Sequence, residues 1–145
     1  MDDSITIRGA REDDAPALAE LATHLGYPTD AAAMGGRLER VAAMPDHRTF
    51  VAERGGTVVG FVGVMRGWTY TSDDAYARIL ALVVAPGERG RGTGAALVDA
   101  AERWARGVGA GSIHVTTALH REGTHRFYER IGYARSGLRF VKKPV

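Results

Sequence analysis

The chain has 145 residues, 45% of them hydrophobic and 25% charged, with a formal net charge of +2 and no cysteine. This length and composition predict a single globular domain over residues 1–145, and the lack of cysteine excludes disulfides, thiolate nucleophiles and cysteine-bound metal sites. The longest segment without Asp, Glu, Lys or Arg has 14 residues, where a membrane-spanning helix needs about 20. The start Met1-Asp2-Asp3 is too acidic for a secretory leader, so we expect a soluble cytoplasmic protein with no membrane contact.

Hydrophobic spacing predicts a strand, two helices, three strands, a helix, a strand, a helix and one or two closing strands. In chain order these elements cover residues 4–8, 13–26, 29–44, 49–53, 57–65, 76–84, 92–106, 112–117, 124–131 and 133–141. A capping carboxylate at Asp13 or Asp14, followed by Pro16, begins the first helix, and Gly26 ends it. The strand over 76–84 is apolar on both faces from Ile79 onward, which is typical of the interior of a sheet.

The segment Arg89-Gly90-Arg91-Gly92-Thr93-Gly94 lies between that strand and the following helix. Glycines let backbone N–H groups approach a ligand, and the positive end of a helix favours an anion. Residues 54–145 hold 14 basic and 7 acidic residues, whereas residues 1–53 hold 5 and 10. The segment therefore predicts a phosphate or diphosphate site in the basic part of the chain.

Three other interpretations of the glycine segment were weighed. A P-loop is excluded because no Gly-Lys-Ser/Thr ends the run. Gly90, Gly92 and Ala95 match a dinucleotide fingerprint, but residues 108–119 hold no carboxylate and at least three strands come earlier, so this interpretation is rejected. A plain turn with permissive glycines and two solvated arginines stays open on the local sequence alone.

The pattern Arg/Gln-x-x-Gly-x-Gly/Ala, filled by Arg89, Gly92 and Gly94, resembles the GNAT superfamily of N-acetyltransferases. The preceding Leu82-Val83-Val84-Ala85-Pro86 resembles the family's fourth strand, and the segment from His125 to Tyr133 resembles its later helix–turn–strand signature. The order of elements agrees as well. The closest-looking branch includes aminoglycoside-type acetyltransferases, and no residue identifies that substrate.

The resemblance implies an α+β fold of three layers, in which helices flank a mixed, mostly antiparallel sheet. The fourth and fifth strands splay apart to admit acetyl-CoA, which is the expected cosubstrate, and no metal is expected. Backbone groups of Leu82, Val83 and Val84 would pair with the pantetheine arm. N–H groups would hold the diphosphate along the segment Arg89, Gly90, Arg91, Gly92, Thr93 and Gly94.

The implied reaction is direct attack of a neutral amine on the acetyl thioester. A backbone N–H near Val83 or Val84 would stabilise the oxyanion. The resemblance assigns protonation of the departing thiolate to Tyr128, whose phenol has an ordinary pKa of about 10 and stays protonated at pH 7. Packing of Tyr128 beside Phe127 and Ile131 as a core residue is the alternative interpretation.

The chain departs from the family pattern at the position of the general base. Many members carry a carboxylate where this chain has Leu80 and Ala81. Other candidates are each more typical of a surface carboxylate or a satisfied histidine: Glu53, Asp73, Asp74, His114 and His120. We therefore expect that the amine loses its proton through water or binds already neutral.

Arg121 is a second departure, since the family often has Asn there to bond pantetheine. Arginine accepts no hydrogen bond but can reach a phosphate or the adenine ribose, and a solvated surface residue is equally consistent. The resemblance places His24, Tyr27, Asp30 and Trp68 on the acceptor side. The acidic balance of residues 1–53 suggests a cationic acceptor, such as a polyamine, an aminoglycoside-like molecule or a peptide amine.

The predicted function is transfer of acetyl from acetyl-CoA to a primary amine of a small molecule or peptide. A non-catalytic acyl-CoA-binding module of the same fold is the alternative, favoured by the missing strand carboxylate and opposed by Tyr128. Lys142-Lys143 is the one basic run, so no nucleic-acid partner is expected. The fold also allows a homodimer formed through exposed strands.

Overall fold

The computed structural model describes residues 4–117 and 121–145. Its elements in chain order are β1 (Ile5–Gly9), α1 (Ala15–Leu25), α2 (Ala31–Ala42), β2 (His47–Arg54), β3 (Thr57–Gly67), β4 (Ala75–Val84), α3 (Thr93–Gly107), β5 (Ala110–Val115) and α4 (Glu122–Arg130). Contacts divide the chain into unit 1, Met1–His114, and unit 2, Val115–Val145, which are described separately. The predicted order of elements is confirmed as far as α4, and the candidate base His120 lies outside the described residues.

The strands form one mixed sheet in the order β1-β2-β3-β4-β5, in which the first three pairs are antiparallel. β2 and β3 are joined by a two-residue hairpin, where Gly55 and Gly56 take φ values of 58° and 79°. A two-residue hairpin with both central residues in the left-handed region matches the twist of the strands, and glycine adopts it without strain. The Gly-Gly pair thus sets the register in which Arg54 faces Thr57.

Helices α1 and α2 have boundaries that local chemistry explains. Gly26 ends α1 at φ 111°, in the left-handed region that favours glycine. The Asp30 carboxylate accepts the Ala33 N–H at 2.7 Å and caps α2. The predicted carboxylate cap of α1 is wrong, because Asp14 accepts the preceding Arg11 N–H at 2.6 Å and makes no cap bond to α1.

Asp14 belongs to an ion-pair cluster that joins β1, β2 and the start of α1. Arg8 donates to both Asp14 carboxylate oxygens at 2.9 and 2.8 Å, and to Glu53 at 2.9 Å. Hydrogen bonds from Arg8 hold the pKa of both carboxyl groups below their usual values, against the opposing effect of desolvation. Two hydrogen bonds from the Arg8 guanidinium to the carboxylate outweigh the single bond that a helix N–H would donate, which explains why Asp14 turns toward Arg8.

The sheet of unit 1 separates two helical layers, which confirms the three-layer α+β fold. On one face, α1 and α2 pack their apolar side chains against β-strand residues that include Val51, Phe61 and Val83. On the other face, α3 lies close to Gly60, since a Cβ built there would lie 3.0 Å from the Leu97 Cδ1 and 3.0 Å from the Val83 carbonyl oxygen. Glycine at position 60 therefore sets how closely α3 approaches the sheet.

β4 contains a β-bulge at Leu80. Gly63 pairs with Ala81 and Val64 pairs with Ile79, so Leu80 has no partner on β3. The extra residue shifts the alternation, so that Ile79 shares the α3 face with Val64 while Ala81 lies on the α1–α2 face. The prediction that β4 is buried on both faces from Ile79 onward is wrong at this residue, because Leu80 is 51% exposed.

In unit 2, α4 is followed by a tail without a strand, so the one or two closing strands predicted over 133–141 are wrong for the described residues. Gly132 turns the chain at φ 100°, and Arg135 returns to Glu129 of α4 at 3.2 Å. Leu138 and Phe140 are largely exposed. Alternating apolar residues predict a strand only where a partner strand supplies the ladder, and this tail has none among the described residues.

Candidate active site

The turn between β4 and α3 has the backbone of an anion-binding site. Gly90 and Gly92 take φ values of 75° and 82°, and a Cβ at either position would meet no atom within 4 Å. The Ala96 N–H donates to the Gly92 carbonyl at 3.0 Å as the first bond of the α3 ladder, so the helix does not use the N–H groups of residues 93–95. Unused N–H groups at the positive end of a helix favour a phosphate.

Glu88, which the sequence reasoning missed, is buried directly beneath this turn. Its carboxylate accepts hydrogen bonds from Thr93 Oγ1 at 2.8 Å, from Arg54 Nε at 3.1 Å and from Arg91 Nη1 at 3.3 Å. Burial works to raise the pKa of Glu88, but the bonds from Thr93 and Arg54 and the charge of Arg91 outweigh it and lower the pKa below its usual value. An ionised Glu88 thus joins β2, the turn and the first residue of α3.

The predicted donor-site residues around Glu88 differ in what they can offer a ligand. Arg89 and Gly90 are exposed, and Arg91 is exposed while also bonding Glu88. Thr93 is 1% exposed and its hydroxyl is used by Glu88, so only its main-chain N–H is available. Gly94 lies in the first turn of α3.

The backbone direction of β4 distinguishes between its last residues. The Ala85 N–H donates to the Val59 carbonyl of β3 at 2.8 Å. Because the N–H and C=O groups of successive residues in a strand point to alternate sides, those of Val83 also point to β3. Those of Leu82 and Val84 therefore point away from β3.

A cavity of about 150 Å³ lies between α1, α2 and the sheet at the bulge of β4. Its lining includes Leu80 and Ala81 on β4, Gly63 on β3 and His47 on β2, and we call it the Gly63 cavity. His47 Nδ1 is buried and has no hydrogen-bond partner among the described residues. His47 lies on the same face of β2 as Thr49 and Val51, and this two-residue spacing was the signal in the sequence that could have identified it.

The predicted acceptor-side residues do not line this cavity. His24 lies 3.7 Å from Glu20 with more than half of its side chain exposed, and Tyr27 and Trp68 are 62% and 65% exposed. Asp30 is used as the cap of α2. Arg37 of α2 does line the cavity, but its side chain is exposed and its Nη1 donates to Thr29 Oγ1, which lies outside that lining, at 3.4 Å.

The candidate bases also lie outside the described lining of the Gly63 cavity. Glu53 is paired with Arg8. Asp74 packs against Gly111, and His114 Nε2 contacts Ser112 Oγ at 2.9 Å. Asp73 is exposed. Leu80 and Ala81, which occupy the expected carboxylate positions, do line it, so the described lining holds no carboxylate.

Tyr128 lies in α4 and is 6% exposed. Its ring makes edge contacts with Phe127 and Tyr133, at centroid distances of 5.1 and 5.4 Å. Burial raises the pKa of Tyr128 to about 12, so the phenol keeps its proton at neutral pH. The Tyr128 hydroxyl makes no hydrogen bond with the part of the chain that the structure describes. Arg121 immediately precedes the same helix.

Two further features of the described residues bear on function. Within residues 4–117 and 121–145, no three His, Asp or Glu side chains are grouped as a metal ion requires. In the same ranges, every helix is too short or too polar to cross a bilayer.

Residues 13–133 match the family model described as acetyltransferase (GNAT) family. The chain therefore belongs to this family, and the predictions of its family and its fold class are confirmed. A relative of known name is the aminoalkylphosphonate N-acetyltransferase of Salmonella typhimurium, 37% identical over 92 residues. That match covers 63% of this chain and 60% of the relative's own length.

Solved structures agree on the fold. A putative acetyltransferase from Agrobacterium tumefaciens superposes with a TM-score of 0.85 at 28% identity, covering 95% of this chain and 99% of that one. The aminoglycoside N-acetyltransferase AAC(6')-Iy in complex with CoA superposes with a TM-score of 0.87 at 17% identity, covering 100% and 98%. At 17% identity, the likeness to this aminoglycoside N-acetyltransferase is one of fold alone.

Proposed function

We propose that this chain is an acetyl-CoA-dependent N-acetyltransferase acting on a primary amine, and that residues 1–145 form one catalytic domain. The glycine turn at the start of α3 carries the proposal, because its open N–H groups lie beside Arg89 and Arg91. The relative of the same fold that is described in complex with CoA supports the choice of cosubstrate. The curated relative's name favours a small-molecule acceptor over a peptide.

The donor would lie along the end of β4 and the turn. The N–H groups from Arg89 to Gly94 would hold the diphosphate, apart from that of Arg91, which donates to the Glu88 carbonyl at 3.2 Å. The Glu88 side chain would hold the turn against the start of α3. Leu82 and Val84 would pair with the pantetheine arm, since their backbone groups point away from β3. For the same reason Val84, rather than Val83, would donate its N–H to the oxyanion. Arg121 would reach an outer phosphate or the ribose.

The chemistry then needs one proton donor. The amine nitrogen forms a bond to the acetyl carbon, the carbonyl electrons move to oxygen, and collapse breaks the carbon–sulfur bond. Tyr128 would donate a hydrogen bond to the departing thiolate, since burial keeps its phenol protonated, and the thiolate would take up the proton that the amine releases through water. The amine would lose its proton to water, since the described lining of the Gly63 cavity supplies no carboxylate.

An acceptor that carries an anionic group is a finer candidate. Arg37 reaches the Gly63 cavity and has no ion pair with the described residues. A polycation would meet no carboxylate in that lining, whereas the anionic group of such an amine, held outside the apolar cavity, would meet the Arg37 guanidinium beside Thr29. The name of the Salmonella relative, an aminoalkylphosphonate acetyltransferase, supports the same class. His24, Tyr27 and Trp68 would then lie outside the pocket that holds the reacting amine.

The experiment that tests the donor site compares two neighbouring glycines by CoA titration. Gly92→Ala places a Cβ on backbone at φ 82°, whereas Gly87→Ala adds the same atom at an ordinary φ with nothing within 4 Å. We expect the first change to weaken CoA binding about 10-fold or more and the second to leave it within about 2-fold. Equal affinities would contradict the cradle.

Release of free thiol from acetyl-CoA across an amine panel separates an enzyme from a binding module of the same fold. An N-acetyltransferase releases thiol only when an amine acceptor is present. A protein that binds CoA and releases no thiol with any amine would be the non-catalytic alternative.

A further inference from the structure

Gly63 lies in the middle of the sheet and faces empty space. It pairs with Thr49 of β2 on one side and with Ala81 of β4 on the other. A Cβ built on Gly63 would meet no atom within 4 Å, and its φ is ordinary. At the centre of a sheet covered by α1 and α2, a glycine with open space above it is a gap in the core rather than a requirement of the backbone.

The floor of the cavity follows from the register of three strands. Thr49, Gly63 and Ala81 lie side by side on the α1–α2 face, because directly opposed residues of an antiparallel pair share a face. The bulge adds Leu80 to the same lining. Ala81 is directly followed by Leu82, so the cavity begins about 7 Å along β4 from Val83 at a rise of about 3.3 Å per residue.

The walls are almost entirely apolar. They include Leu18 of α1, Phe61 of β3 and, from α2, Met34, Leu38 and Val41. Arg48 also borders the cavity, but its guanidinium lies 5.4 Å over the Phe50 ring and beside Gly9, on the other face of the sheet. The hydrogen-bonding groups that remain are Thr49, His47 and Arg37, and the Nδ1 of His47 is buried without a partner among the described residues.

We propose that the Gly63 cavity binds a compact apolar substituent of the acceptor amine, an inference that rests on the proposed function. The substituent would be an alkyl or aryl group of about four to six carbons. A cavity of about 150 Å³ lined by apolar side chains holds a group the size of benzene. A second ammonium group would meet no carboxylate in the described lining, since Glu12 and Glu39 line a separate cavity that shares only its Leu38, Val41, His47, Arg48 and Thr49 border with this one. The free Nδ1 of His47 supplies a hydrogen bond at the edge of this apolar space.

The size of the effect follows from the burial of methylene groups. Each buried methylene changes binding about 4-fold. An acceptor with a branched four- to five-carbon chain should therefore have a kcat/KM roughly 15- to 60-fold above that of ethylamine, which offers the same reacting group without the apolar body. Spermidine should be a poor acceptor.

The test compares 3-methylbutylamine, ethylamine and spermidine with the wild type, with Gly63→Val and with Thr57→Val. Valine at position 63 fills the open space in a residue type that strands favour, and Thr57→Val is the matched change at an exposed position of the same strand. We expect Gly63→Val to lower kcat/KM for 3-methylbutylamine at least 30-fold and for ethylamine less than 3-fold. CoA affinity should stay unchanged in both variants.

Binding of 3-methylbutylamine to the CoA-bound protein is measured in parallel by calorimetry, because it does not depend on turnover. Equal kcat/KM for all three amines, a preference for spermidine, or wild-type calorimetric binding by Gly63→Val would overturn the proposal while leaving an N-acetyltransferase. Calorimetric binding that Gly63→Val abolishes, with no thiol release from any amine, would support the cavity and overturn the proposed activity.

Discussion

Glu88→Gln isolates the charge of the carboxylate beneath the glycine turn. The amide keeps one acceptor oxygen for Thr93 Oγ1 and Arg54 Nε, which share Oε1 at 2.8 and 3.1 Å, and places an NH₂ group against the Nη1 donor of Arg91 at 3.3 Å. Loss of one charge-assisted hydrogen bond in a buried position costs about 1.5–3 kcal/mol. At roughly 2–4 °C per kcal/mol for a domain of this size, we expect the melting temperature to fall by about 5–10 °C.

The same substitution should weaken CoA binding about 10-fold, because Glu88 holds the turn against the start of α3. Thermal melts and CoA titration measure the two effects, and Glu20→Gln is the matched control on an exposed carboxylate. The native pKa of Glu88 is lowered, so the advantage of the wild type should be complete above pH about 4.3 and lost as the pH falls through the native pKa. Glu88→Gln with wild-type melting and CoA affinity would refute the reasoning.

Three more changes have expected outcomes. Gly60→Ala puts a Cβ 3.0 Å from the Val83 carbonyl oxygen, so urea unfolding should show a loss of about 1–3 kcal/mol, and an unchanged midpoint would contradict the close approach of α3. Asp14→Asn should cost about 2 kcal/mol at pH 7 and progressively less below pH about 4, since the Arg8 hydrogen bonds lower the native pKa of Asp14; a constant difference across acid titration would count against them. Tyr128→Phe should lower kcat at least 100-fold without changing CoA affinity. Because burial raises the pKa of Tyr128 to about 12, the wild-type rate should show no alkaline decline below pH about 11.

The features that were predictable from the sequence are those that local chemistry decides. Gly26, Gly55 and Gly92 each occupy a backbone conformation that favours glycine, so the end of α1, the hairpin and the start of α3 were all recognisable. The order of elements through α4 followed from hydrophobic spacing. The glycine turn was recognisable because its glycines and arginines lie within six consecutive residues.

The features that were not predictable depend on pairs of residues far apart in the chain. In the sequence, Glu88 is an ordinary acidic turn residue. Its role depends on Arg54, which lies 34 positions earlier in the chain and donates a hydrogen bond to it. The bulge at Leu80 depends on the register between two strands, which neither strand reveals alone. The tail after α4 has an alternating pattern, but no strand ladder forms for it in the described residues.

The bulge in β4 also determines which mutations this chain should tolerate. Ahead of Leu80, Ile79 lies on one side of the sheet, and just after it Ala81 lies on the opposite side to where strict alternation would put it. Replacing the exposed Leu80 side chain leaves that arrangement intact. Deleting the residue would join Ile79 directly to Ala81, and these two already lie on opposite faces of the sheet. The pairs Val64–Ile79 and Gly63–Ala81 would then follow each other in a regular ladder, and Val83 would keep its packing with Phe61, so this position should tolerate the loss of a residue as well as its replacement.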